Sequence, residues 1–186
     1  MNKFTQNYFD YFLKNLKPNN KQIETLNRIS LSMEKLNKLG NKIILIGNGG
    51  SAAMSSHVSV DLSKNSGVRS INFNEADLIT CFANDFGHHN WMKEALSHYY
   101  DQGDMVILIS SSGRSKNIIN AAKWCIKNKA NLVTFSGMKR DNPLININKS
   151  NDNLWINSSS YNHIEMIHHI WLLYIVDLLI ERRSIR

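Results

Sequence analysis

The run Ile43-Ile44-Leu45-Ile46, broken abruptly by Gly47-Asn48-Gly49-Gly50-Ser51-Ala52-Ala53, constrains this chain more than any other stretch. Four consecutive aliphatic residues with no polar alternation describe a strand buried on both faces. That environment belongs to parallel sheets covered by helices on each side. The Gly/Asn/Ser turn then opens a helix-compatible segment. A helix N-terminus has unpaired N–H groups and a partial positive charge, so an anion such as phosphate is the expected guest.

The pattern recurs. Residues 105–109 are again a buried strand, followed by Ser110-Ser111-Ser112-Gly113-Arg114-Ser115 and a helix reaching about residue 128. Residues 132–135 read as a third such strand, 70–73 as a short one and 153–156 as an edge strand. Strands alternating with helices predict an α/β fold, a doubly wound parallel sheet flanked by helices. Ligands in such sheets bind beyond the carboxyl ends of the strands, where both polar turns would lie.

A length of 186 residues suits one domain. It divides into an N-terminal helical extension (1–40), an α/β core (41–160) and a C-terminal helix (161–186). Apolar residues at helical spacing predict helices over 3–16 and 21–39, with Gly40 as the stop. Further helices are expected over 51–62, 75–83 and 90–100, a loop over 64–67 and a turn over 84–87. Residues 164–180 are the most apolar stretch but contain Glu165, His168, His169 and Asp177. A buried helix therefore fits better than a membrane span.

Twenty-two Lys and Arg against fifteen Asp and Glu give a net charge of +7. The basic residues are scattered and not interleaved with aromatics. They suit a solvated basic surface or an anionic small substrate better than nucleic acid. Cys81 and Cys125 form no metal or redox motif, and a structural disulfide is not expected. With no signal-peptide core at the N-terminus, the expected location is cytoplasmic.

Three groups of residues carry chemistry. Gly49 and Ser51 in the first turn, with Ser110, Ser111, Ser112 and Ser115 in the second, offer backbone and hydroxyl donors that can surround a phosphate without cations. Neither turn is a Walker P-loop or a dinucleotide fingerprint. His57 and Asp61, four apart on one helix face, suit a metal pair, a base with its orienting carboxylate, or an exposed hydrogen-bonded pair. Glu165, His168 and His169 place a carboxylate and two imidazoles among apolar neighbours. The reading there is acid/base chemistry, a divalent metal such as zinc, or a polar stripe at a subunit interface.

With those residues in view, the chain resembles the sugar isomerase (SIS) domain family, and within it the phosphoheptose isomerases. The likeness rests on Gly47-Asn48-Gly49-Gly50-Ser51-Ala52-Ala53, Ala83-Asn84-Asp85-Phe86-Gly87, Ser110-Ser111-Ser112-Gly113-Arg114-Ser115 and the Ile164…His168 helix. It implies an aldose–ketose isomerase converting sedoheptulose 7-phosphate to a heptose 7-phosphate through an enediol, and a homotetramer with shared pockets. By the resemblance, Ser51, Ser110, Ser112 and Ser115 bind phosphate, Asn48 meets the sugar and Asp85 belongs to the active site. Zn2+ would lie on His57, Asp61 and Glu165. The acid/base candidates are Asp61 and Glu165, together with His169, which is read from its place on the helix and not from the resemblance. Arg114 and His163 are candidates to reach a neighbouring site. The chain departs from the family at three of its positions: Asp61 replaces a glutamate, Glu165 a glutamine, and Leu173 a catalytic histidine. Two further readings stay open, a non-catalytic sugar-phosphate-binding or assembly protein and an isomerase of a different sugar phosphate.

Overall fold

Five parallel strands form one sheet in the order β2-β1-β3-β4-β5. They are β1 (Ile43–Gly47), β2 (Ser70–Asn72), β3 (Met105–Ser110), β4 (Asn131–Gly137) and β5 (Asp152–Ile156). The computed structural model describes residues 2–149 and 152–185. Around the sheet lie α1 (Lys3–Leu16), α2 (Asn20–Lys38), α3 (Gly50–Asp61), α4 (Ala76–Phe86), α5 (Trp91–Tyr99), α6 (Lys116–Lys127), α7 (Pro143–Ile147) and α8 (Tyr161–Ser184).

Alternate strand residues point to opposite faces and so build two separate cores. Ile43, Leu45, Ile107, Ile109, Val133 and Phe135 pack beneath α2, α3 and α8. Ile44, Ile46, Val106, Leu108 and Leu132 pack beneath α5 and α6. This is why β1 and β3 are apolar throughout: each is buried at every position. The C-terminal helix α8 is a core element, burying Ile164, Ile167, Trp171, Leu172, Ile175, Val176 and Leu179 against the sheet. Its length and apolarity would also satisfy a membrane span, but half of its most apolar window is buried inside the protein.

Three local expectations are corrected. Residues 64–67 are not an open loop, because α3 continues into a π-helical turn (Leu62–Ser66) that ends at Gly67 with φ +70°. The expected turn at 84–87 is helical through Phe86, and the break comes only at Gly87. The short α7 was not anticipated, although Asn142 as N-cap and Pro143 in the first turn are an ordinary helix-start signal. Helix α2 joins the core through Leu26, Ile29 and Met33, whereas α1 is tied to the rest by few bonds among the described residues. Trp171 Nε1 donates to the Leu16 carbonyl at 3.0 Å, and the Tyr11 hydroxyl donates to that of Asn157.

Candidate active site

Strand β1 is followed in sequence by β2 on one side of it, while β3 lies on its other side. The switch point of the sheet is therefore the crevice between the carboxyl ends of β1 and β3, where Gly47 stands opposite Ile109. Both polar turns leave their strands at this crevice. They enclose a cavity of about 100 Å³ lined by Asn48, Ser51, Ser110, Ser111, Ser112, Ser115, Tyr161 and Glu165, with Ile109 at its floor. A water occupies roughly 30 Å³ in the liquid. The cavity thus holds a group the size of a phosphoryl, with the rest of a sugar phosphate lying outside it.

Donors converge on that space. Ser51 and Ser111 are nearly buried, and the Ser111 hydroxyl has no hydrogen-bond partner among the described residues. A buried hydroxyl left unpaired is costly, and an anionic oxygen in the cavity would satisfy it. Ser110 and Ser115 hydroxyls lie 3.5 Å apart across the pocket, and the Ser112 hydroxyl accepts from the Arg114 N–H at 3.2 Å, fixing the turn. Gly49 is the N-cap of α3 at φ +54°, and no side chain caps the helix end with a hydrogen bond. Asn48 is braced by a reciprocal amide pair with Asn117 of α6, at 3.1 and 3.0 Å. Asn117 and the pocket-lining Tyr161 were not anticipated from the sequence. The signal for Tyr161 is its position one turn before Glu165 on α8.

Glu165 overhangs the first turn. A Cβ placed on Gly50 would meet its Oε2 at 2.1 Å, so the glycine makes room for the carboxylate. Burial raises its pKa above the usual carboxylate range. One turn further along α8, His169 Nε2 lies 2.9 Å from His57 Nδ1, with the rings edge-on. The other nitrogen of His57 faces Asp61 Oδ2 at 3.3 Å. The His169 pKa is lowered, mainly by burial and also by His57, with Asp61 opposing.

The metal set expected from the resemblance, His57, Asp61 and Glu165, is not assembled. Both ring nitrogens of His57 are engaged, one by Asp61 and one by His169, while Glu165 is turned to Gly50 and the serines. Among the described residues, no three His, Cys, Asp or Glu side chains converge as metal ligands would. As arranged, these donors do not fit the group.

Other candidates are placed elsewhere. His168 is fully buried against Phe135 and donates from Nε2 to the Ser136 carbonyl at 3.1 Å, so it belongs to the core. Leu173, itself on α8, packs partly buried against the core, and the imidazole facing α3 is His169 instead. Asp85 sits in the last turn of α4, exposed and bonded to Asn84, away from the cavity lining. His163 is enclosed by the rings of Tyr8, Tyr11 and Phe12, which corrects the expectation that it reaches outward. Arg114 is exposed beside the serine turn.

A parallel sheet with a hydroxyl-lined, anion-sized cavity at its switch point defines a doubly wound α/β protein built to hold a phosphorylated small molecule. The chain belongs to the SIS domain family, whose model matches residues 7–137. It is 29% identical over 175 residues to a phosphoheptose isomerase of Buchnera aphidicola subsp. Acyrthosiphon pisum, covering 91% of this chain and 89% of that protein. A second phosphoheptose isomerase, from Buchnera aphidicola subsp. Schizaphis graminum, is 32% identical over 130 residues, 67% of each chain. The solved phosphoheptose isomerase GmhA of Neisseria gonorrhoeae superposes with a TM-score of 0.85 at 19% identity, covering 95% of this chain and 98% of that one.

Proposed function

We propose that this protein is a sugar-phosphate isomerase of the phosphoheptose type, interconverting sedoheptulose 7-phosphate and a heptose 7-phosphate. The observation that carries the reading is the serine cavity with Glu165 at its lip. A phosphate seated among Ser51, Ser110, Ser111, Ser112 and Ser115, at the N-terminus of α3, anchors one end of the substrate. That remote binding holds the reacting carbons in place. Glu165, with its raised pKa, removes the proton from the carbon next to the carbonyl and returns it to the adjacent carbon. The His57–His169 pair, backed by Asp61, carries the proton that moves between the two oxygens of the enediol. Each of these steps uses only side chains of this chain.

Ser110→Ala tests the anchor. A hydrogen bond to a charged group contributes roughly 1.5–3 kcal/mol, so KM is expected to rise about tenfold or more. The change in kcat should be small. A large fall in kcat at unchanged KM would place Ser110 in the chemistry and overturn its role as anchor.

The protein acts as a homo-oligomer, a tetramer if it follows the resemblance. Helices α1 and α4 bury no residue within one chain. They leave Phe4, Phe9, Leu13 and Phe86 exposed. A second copy covering α4 would bring Asp85 to a site boundary. Light scattering on the purified protein reads the mass, and a monomer at micromolar concentration would reject this.

A further inference from the structure

A second cavity is larger than the serine site. It is a cleft of about 570 Å³ between the end of α1, the start of α2 and the outer side of β5, and it shares no lining residue with the serine cavity. This volume lies inside the range of small-molecule sites, roughly 300–1,000 Å³.

Its chemistry is one-sided. Lys14, Lys17, Lys21 and Arg140 line it, and none of its described lining residues is acidic. None of the four makes an ion pair among the described residues. The lysines and arginines that do are Arg28, Lys38, Lys42 and Lys93, all outside this cleft. The N-terminus of the 19-residue α2 opens into the same space and adds its partial positive charge. Arg140 lies over the Trp155 ring at 5.6 Å, which gives its guanidinium a fixed seat on the wall.

The walls are also built. Gln22 Nε2 donates to the Trp155 carbonyl at 3.0 Å, tying α2 to β5, and Trp171 ties α8 to the end of α1. Four cations around one concavity, none of them ion-paired among the described residues, repel one another. An anion placed between them relieves that repulsion and gains charge-assisted hydrogen bonds.

We propose that this cleft is a second, non-catalytic binding site for a small phosphorylated polyanion, separate from the sugar-phosphate cavity. A small molecule is favoured over nucleic acid because the cations surround one corner. Even a single nucleic-acid-binding module needs roughly 600–1,000 Å² of contact surface.

Inorganic pyrophosphate is the probe, titrated calorimetrically into the full chain at physiological salt. The wild type is expected to show two classes of site. Ser110→Ala with Ser112→Ala should weaken one class and spare the other. Lys17→Glu with Lys21→Glu should weaken the second class about tenfold or more, leaving kcat and the melting temperature unchanged, since both lysines are exposed. A single class in the wild type, or a second class indifferent to the lysine reversals, would overturn the proposal. So would a lysine variant whose only change is its oligomeric mass, because the cleft would then be an interface between copies. Tighter binding of a DNA oligonucleotide than of pyrophosphate, lost in the same variant, would replace the small polyanion with nucleic acid.

Discussion

Glu165→Gln is expected to lower kcat by about 10²–10⁴-fold, the usual contribution of a positioned general base, with KM changed only a few-fold. The carboxylate lies at the lip of the phosphate cavity, where it can reach the carbons beyond a seated phosphoryl group. Glutamine keeps the shape and loses the proton acceptor. Burial raises the Glu165 pKa, so the acid limb of kcat/KM should lie above the ordinary carboxylate value and vanish in the variant. Solvent-deuterium incorporation at the substrate carbon reads the step directly. Glutamine is also what the resembled family carries here. A variant that stays active and becomes zinc-dependent would show that Glu165 is not the base and that His57 leaves His169 for a metal.

Gly50→Ala gives the same test without touching the carboxylate. The new Cβ would lie 2.1 Å from Glu165 Oε2, and the flexible carboxylate end must move aside. The backbone at Gly50 is helical and accepts alanine, so stability should hold or rise by roughly 0.4–1 kcal/mol. A displacement of about 1 Å at a reacting group costs on the order of 10²-fold in rate. Lower kcat with an unchanged or higher melting temperature is the expected pair of results. Full activity would place the base elsewhere, with Asp61 the next carboxylate to examine.

The cradle was legible in the sequence because it is local. A short unbroken apolar run bounded by turn residues fits a strand covered on both faces, and the Gly/Asn/Ser turns after 43–46 and 105–109 fit helix starts at the same edge of the sheet. Which strands stand side by side was not local. Only the pairing of Gly47 with Ile109 turns two separate anion turns into one cavity. The same limit explains Asn117, whose brace on Asn48 spans 69 residues, and the His57–His169 contact, which spans 112. His168 and His169 were equivalent as letters. The helix phase separated them, burying one against Phe135 and turning the other to α3. The basic cleft was invisible for a related reason. Lys14, Lys17 and Lys21 are ordinary surface residues until β5 and the chain after β4 bring Trp155 and Arg140 against them.

His168 should make the protein lose stability as the pH falls from about 6.5 towards 4. Burial lowers its pKa to about 4, because an imidazolium there would be cut off from water. Its Nδ1 is also buried with no partner among the described residues, so a proton added to it would find no acceptor. The unfolded chain, with an ordinary histidine pKa near 6.5, takes up that proton first. Below about pH 6.5 the unfolded state therefore binds more protons, and stability drops until the folded state also titrates near 4. A shift of this size corresponds to about 3 kcal/mol, a large part of the margin of a typical domain. His169 is shifted in the same direction and adds to the loss, whereas Glu165, raised by burial, opposes it. His168→Gln separates these contributions. Its amide can still donate to the Ser136 carbonyl but cannot titrate, so the variant should be less stable than wild type at pH 7.5 and flatter with pH. Urea midpoints measured from pH 7.5 to 4.5 read both. Parallel slopes in the two proteins would mean that another group governs the acid response. Because Ser136 stands opposite Ser110 near the end of β4, the same protonation should loosen the carboxyl edge of the sheet, and phosphate affinity should fall over the same pH window in the wild type but not in the variant.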